Sequence, residues 1–236
     1  MMMTTMTAAT AKVMTMTDAI DHDVRHIDTG APGRVRVWDA VIRMFHWALV
    51  ATVALAWASA EELSRIHELS GYAVAGLVAI RLVWGLLGSR YARFSQFVRP
   101  PRATLAYLRD MLRGQERRYL GHNPAGAVMV LSLLATLSCV AGTGWLMDAP
   151  DRLAMVPSIL APAWTDEVGA HREYGEHAES MRETLEDAHE VFANMLLLLV
   201  ALHVGGVMLA SARHRENLAG AMVTGDKRAP VADDIT

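Results

Sequence analysis

Residues 188–210 read AHEVFANMLLLLVALHVGGVMLA. The run is as long as the roughly 20 apolar residues a helix needs to cross a hydrocarbon core about 30 Å thick. It never alternates with period two, which sets a strand aside. Two histidines stand in it, His189 and His203. Fourteen residues at about 100° each leave these side chains within about 40° of one another and about 21 Å apart along the axis. One helix therefore carries two imidazoles on one face at two depths. An ionisable group inside a span is costly and is a functional hypothesis by default.

Three more runs of similar length precede it: residues 39–60 (DAVIRMFHWALVATVALAWASA), 68–88 (ELSGYAVAGLVAIRLVWGLLG) and 124–147 (PAGAVMVLSLLATLSCVAGTGWLM). The expected fold is all-α, an integral membrane four-helix bundle. Loop charge sets its orientation. Between the second and third runs lie Arg90, Arg93, Arg99, Arg102, Arg109, Arg113, Arg117 and Arg118 against Asp110 and Glu116, which makes that loop cytoplasmic by the positive-inside rule. Residues 148–187 carry ten acids against Arg152, Arg172 and Arg182 and belong outside, and Arg34, Arg36, Arg213 and Arg215 put both termini in the cytoplasm. Three regions follow: a mobile N-terminal tail (1–35), a transmembrane domain (36–215) and a flexible C-terminal tail (216–236). The arginine-rich segment 102–119 reads as an amphipathic stretch along the inner interface, and the acidic end of the outer loop as an outward extension of the fourth helix or a short cap.

Composition narrows the chemistry. Lys and Arg (22) nearly balance Asp and Glu (25), so no overall basic field points to nucleic acid. A single cysteine, Cys139, excludes a disulfide framework, a four-thiolate iron–sulfur cluster and covalent c-type haem attachment. No basic start followed by an apolar stretch and a cleavage site opens the chain, so a secretory signal is not expected.

The histidines remain. His46 lies about two turns inside the first span near its inner end and matches the depth of His203; His67, at the outer mouth of the second span, matches His189. A haem iron held by two protein imidazoles needs one on each side of the macrocycle, and facing helices of a bundle supply them. Two pairs give two haems, one near each membrane surface. Histidines hydrogen-bonded between helices are the plainer alternative. A zinc or copper site would need several ligands at one depth, which this pattern does not give. Arg81, fourteen residues after His67, and Arg43, one turn before His46, could pair with propionates of the inner haem or simply snorkel to headgroups. Gly71, Gly76, Gly205 and Gly206 mark where a flat ring could approach the backbone, or only close helix packing. Trp38, Trp84 and Trp145 read as interfacial anchors. His22, His26, His122, His171, His177 and His214 read as solvated.

RVWDAVIRMFHW, HELSGYAVAGLVAIRLVWGLLGSRYARFSQFVRPP, the third run ending TGWLM, and AHEVFANMLLLLVALHVGGV together resemble the bacterial cytochrome b561 family, which includes the cytochrome b subunit of membrane-bound nickel–iron hydrogenases. The resemblance covers residues 35 to about 215. It implies a multi-pass cytochrome of the bacterial inner membrane holding two non-covalent b-type haems, with His46, His67, His189 and His203 as ligands. Electrons would pass between a periplasmic partner, a c-type cytochrome or hydrogenase, and membrane quinone, the chain acting as the electron-transfer subunit of an oxidoreductase. Two alternatives stand beside it: a stand-alone enzyme passing electrons from superoxide or another small donor to quinone, and a haem-free scaffold or metal-ion permease. A homodimer is the commonest symmetric assembly, and nothing in the sequence demands it.

Overall fold

The computed structural model describes residues 33–61, 64–149, 152 and 170–236, with side chains from residue 179 onward in the last stretch. In order, the elements are β1 (Arg34–Arg36), α1 (Ala40–Ala58), α2 (Ser64–Leu87), α3 (Phe94–Phe97), α4 (Pro101–Leu112), α5 (Pro124–Met147), α6 (Ala170–His214), α7 (Leu218–Thr224) and β2 (Asp226–Arg228). Four of these, α1, α2, α5 and residues 179–214 of α6, are long and apolar enough to span a membrane. The chain is a multi-pass helical membrane protein, as expected. Large apolar side chains such as Leu86, Leu87, Val191 and Met208 point outward, where only lipid tails would leave them undisturbed.

Local chemistry fixes the helix ends. The Asp39 carboxylate caps α1 by accepting from the Ile42 amide at 2.9 Å. It also accepts from the Trp84 indole at 3.3 Å and from the Ser89 hydroxyl, binding the start of α1 to the end of α2. Burial pushes this carboxyl upward, and those donors outweigh it, leaving Asp39 below the usual carboxylate range. Pro101 and Pro124 open α4 and α5, where a missing N–H does no harm. Asn123 completes the second start by accepting from the Gly126 amide at 2.7 Å. α6 is 45 residues, about 68 Å at 1.5 Å per residue, so it runs well past the hydrocarbon on the side away from β1 and β2. The outer acidic segment thus continues the fourth helix from Ala170; residues 150, 151 and 153–169 lie outside the described residues.

Packing runs α1 on α2, α2 on α5 and α5 on α6, whereas α1 and α6, and likewise α2 and α6, share no comparably close interface. A central layer made by Val74, Val78, Leu137 and Leu196, with Leu49, Val53 and Leu133 against it, joins all four spans. Leu196 stands seven residues from both His189 and His203, and Val74 seven from both His67 and Arg81. This layer therefore divides an outer from an inner level of the bundle.

The expected flexible tail at 216–236 is corrected. β2 pairs antiparallel with β1, Arg34 opposite Arg228 and Arg36 opposite Asp226, and Ile235 bridges Tyr119. α6 ends in a turn in which the Glu216 amide donates to Ser211 O at 3.0 Å, with Arg215 at φ 50°. That is a Schellman cap with arginine where glycine is usual. The turn aims Glu216 at Arg118, whose Nη2 and Nε donate to Glu216 at 2.7 and 3.1 Å while Nη1 meets Asp234. Lys227 joins them 3.6 Å from Glu216 and donates to Leu120 O at 2.9 Å. Arg118 and Lys227 are 5% and 4% exposed. Local apolar pattern could not announce this segment, because ionic partners about a hundred residues away hold it. The domain boundary at 36 also shifts, since Arg34 and Val35 lie in β1; residues 1–32 of the expected tail lie outside the described residues.

Arg118→Ala would remove the guanidinium that two buried carboxylates share, leaving Asp234 without its cation partner, and is expected to destabilise the inner end by about 3 kcal/mol, read by thermal unfolding in detergent. Burial raises the carboxyls of Glu216 and Asp234, but hydrogen bonds and cations lower them further, so both sit below their ordinary values of 4.5 and 3.8. A depressed folded-state pKa stabilises above the unfolded value and is lost as pH falls through it. Hydrogen-exchange protection of residues 216–235 should hold at neutral pH and fade below about pH 4.

Candidate haem-binding site

The outer level is built from α2 and α6. The rings of His67 and His189 stand with centres 6.0 Å apart, inclined at 69°. Each has its Nδ1 engaged: His67 with Ala56 O at 2.9 Å and His189 with the Thr143 hydroxyl at 3.0 Å. The Thr143 hydroxyl donates to Cys139 O at 2.8 Å, which leaves its lone pairs to accept from the Nδ1–H of His189. One nitrogen of each ring is thus occupied, and Nε2 is the one left for a ligand. Gly144 sits against His189, where an added Cβ would lie 3.3 Å from Cε1. At the mouth above, Tyr72 donates to Asp148, and Arg152 donates to Trp145 O at 2.9 Å and lies over the Trp145 ring at 4.8 Å.

The inner level is built from α1 and α6. His46 lies on α1 and His203 on α6, two helices that share no interface as close as those of their neighbours. His46 Nδ1 is sealed from solvent with no hydrogen-bond partner among the described residues. Two cations stand nearby. Arg43 donates from Nη1 to Val223 O at 2.6 Å, and its Nε has no partner among the described residues. Arg81, 4% exposed, lies over the Phe94 ring at 4.8 Å and donates from Nη2 to Ala92 O at 3.2 Å, leaving Nη1 unpartnered there. Gly85 makes that stack possible, because any side chain on it would overlap Phe94. Arg81 thus does not snorkel to the headgroups; it is enclosed.

These residues fit a haem held by paired imidazoles. Two imidazoles on one iron, each with a metal–nitrogen bond of about 2 Å, have ring centres about 6 Å apart, which matches the outer pair. Backbone at Gly71, one turn after His67, and at Gly206, three residues after His203, borders open space: an added Cβ would meet nothing within 4 Å at either. The orphaned Nη1 of Arg81 and Nε of Arg43 are donors suited to carboxylates such as haem propionates. Among the described residues no three His, Cys, Asp or Glu side chains converge as a cluster for a bare metal ion.

Sequence reading missed several participants. His122, expected in solvent, packs between Trp38 (ring centres 4.8 Å) and Phe97 (4.5 Å), with Nδ1 sealed from solvent. Desolvation, then the charges of Arg81, Lys227 and His203, push its pKa down to about 3. Trp38, expected at the interface, is 7% exposed in a small inner core with Val37, Ile42, Ala92, Leu120 and Ala221. Thr143 was legible only as a hydroxyl inside a span. His22 and His26, and the side chains of His171 and His177, lie outside the described residues.

A four-span helical bundle that brings His67 and His189 together in its interior has the form of a membrane cytochrome of b type. Residues 37–225 match the prokaryotic cytochrome b561 family. That is well over half of the chain, and the chain belongs to this family, whose members bind b-type haem and carry electrons in membranes. The match runs past α6 to Gly225, taking in the C-terminal helix α7. Comparisons with curated proteins and with solved structures returned no match.

Thr143→Val keeps the side-chain shape and removes the partner of His189 Nδ1. It is expected to weaken haem retention by about 10- to 100-fold, the usual effect of losing a residue that orients a ligand, measured by haem transfer to an apo-globin acceptor. His122 generates a pH effect. Its folded pKa of about 3 lies below the ordinary 6.5, so its contribution is complete above pH 6.5 and is lost as pH falls toward 3, where only the unfolded chain takes up the proton. His122→Phe should flatten the fall of the unfolding midpoint over that window.

Proposed function

We propose that the protein holds two b-type haems, one between His67 and His189 and one between His46 and His203, and passes electrons across the membrane between a redox partner at the outer face and quinone. The observation that carries this reading is the outer pair: 6.0 Å between ring centres with both Nδ1 atoms already engaged. A bound b-type haem supplies a one-electron couple. The chain's own residues do the rest. Ala56 O and Thr143 fix the outer rings, so that neutral imidazoles present Nε2 toward the gap, and this second shell also sets ligand basicity. Arg81 and Arg43 offer donors to propionates at the inner level. The layer of Val74, Val78, Leu137 and Leu196 keeps water out between the two levels.

Orientation follows from charge. The face bearing β1, β2, α4 and the arginines of residues 90–118 is cytoplasmic by the positive-inside rule, and this orientation supports residence in the bacterial inner membrane. Glu183, Glu186, Asp187 and Glu190 are exposed on the outer part of α6, and they favour a partner with a basic docking face, a c-type cytochrome or the electron-delivering subunit of a hydrogenase, through electrostatic steering.

The test is a pyridine haemochrome count on the purified protein with single histidine variants. Two haems per chain are expected, falling to one in His67→Ala and His189→Ala, which lose the same spectral component, and to the other one in His46→Ala and His203→Ala. A wild-type chain without haem, or variants that do not sort into those two pairs, would overturn the reading.

A further inference from the structure

We propose that the C-terminal segment, residues 216–235, is the positioning element of the inner histidine pair, so that cofactor retention at His46 and His203 depends on it while retention at His67 and His189 does not. The proposal rests on the two-haem reading above.

The two levels are held in different ways. At the outer level each ring is fixed by the spans themselves, through Ala56 O of α1 and Thr143 of α5. At the inner level α1 and α6 lack a close mutual interface, and His46 Nδ1 has no partner among the described residues. What joins those two helices at this end is the chain after α6.

On the α1 side, the residues flanking His46 reach the last turn of α7. Arg43 Nη1 donates to Val223 O at 2.6 Å, and the Trp47 indole donates to Met222 O at 3.2 Å. Carbonyls at a helix C-terminus lack intrahelical partners and carry the negative end of the dipole, so a guanidinium and an indole N–H suit them. Gly225 then turns the chain at φ 91°, and its carbonyl accepts from the amides of Val37 and Trp38 at 2.9 and 3.0 Å. On the α6 side, the Schellman turn after His214 delivers Glu216 to Arg118, and Asp234 closes on the same guanidinium. One segment thus grips the helix of His46 and the helix of His203 and anchors both to the loop before α5. It joins two helices that have no close interface of their own.

Gly225 offers a narrow way to break the α1 grip. A Cβ there would lie 2.7 Å from Trp38 O and 3.3 Å from Arg43 Nε, at a positive φ that L side chains rarely adopt. Gly225→Ala leaves the Arg118 ion pairs and every histidine in place.

The experiment compares the full-length protein, a chain ending at Arg215, and full-length Gly225→Ala. Haem per chain, a two-component redox titration, and hydrogen exchange of residues 40–50 in the haem-free proteins are the readouts. The shortened chain should keep about one haem per chain, which His189→Ala then removes and His46→Ala leaves untouched. Gly225→Ala should shift the midpoint of the inner component or empty it, leave the outer component in place, and raise exchange around His46. Unchanged occupancy and midpoints in both variants would overturn the proposal. If the shortened chain loses both haems by failing to fold, Gly225→Ala decides: loss of both components in equal measure overturns it. A wild-type protein without haem would instead defeat the two-haem reading, and the exchange measurement would then still report whether the segment orders α1.

Discussion

A ring nitrogen buried in hydrocarbon without a hydrogen bond or a metal costs several kcal/mol, and much of this bundle can be understood as an answer to that cost at four histidines. At the outer level it is met by ordinary partners, a carbonyl on α1 and a hydroxyl on α5, which occupy one nitrogen of each ring and leave the other for a ligand. Those partners require α1 to lie beside α2 and α5 beside α6, which is the packing observed. α5 packs on both α2 and α6, the helices that carry the facing rings.

The inner level is arranged around charge. Arg118, Lys227, Glu216 and Asp234 form two cations against two anions, all nearly withdrawn from water. A buried ion pair gives little net stability by itself, but it is exacting about geometry, because each group must find its counterpart or leave a bare charge. Here the demand fixes where the chain goes after α6. The result is a compact inner cap in which β1, α7, β2 and the residues before α5 meet, with His122 and Trp38 in its apolar part. Arg81 links the cap to the bundle, since its stacking partner Phe94 and its acceptor Ala92 both lie in the connection after α2.

The spans were legible in the sequence because a membrane imposes length and polarity on every residue it touches. The expected runs at 39–60, 68–88, 124–147 and 188–210 fall on the four long helices with shifts of a few residues at most ends. The second begins earlier, at Ser64, and the fourth much earlier, at Ala170, because helices continue into water where hydropathy no longer marks them. The shared depth of His67 and His189 was legible too, from helical arithmetic alone. What escaped was everything decided by contacts distant in sequence. His122 and Trp38 are polar or amphipathic residues near predicted helix ends, where solvent is the usual environment, and only the folding of residues 216–235 over them makes an interior there. The C-terminal segment itself has no apolar period. Its order comes from Arg118, Trp38 and Arg43, none of which could be assigned to it by spacing.

α6 contributes a histidine to both levels on one unbroken helix. It therefore behaves as a common shaft: a small rotation or slide of this helix would displace both rings in the same sense and at the same moment. The partners on the other side, His46 on α1 and His67 on α2, belong to separate helices and can be adjusted one at a time. Differences between the two centres must then be written into α1 and α2 and their surroundings, while any mechanical load placed on the projecting outer end of α6 would be felt at both centres together.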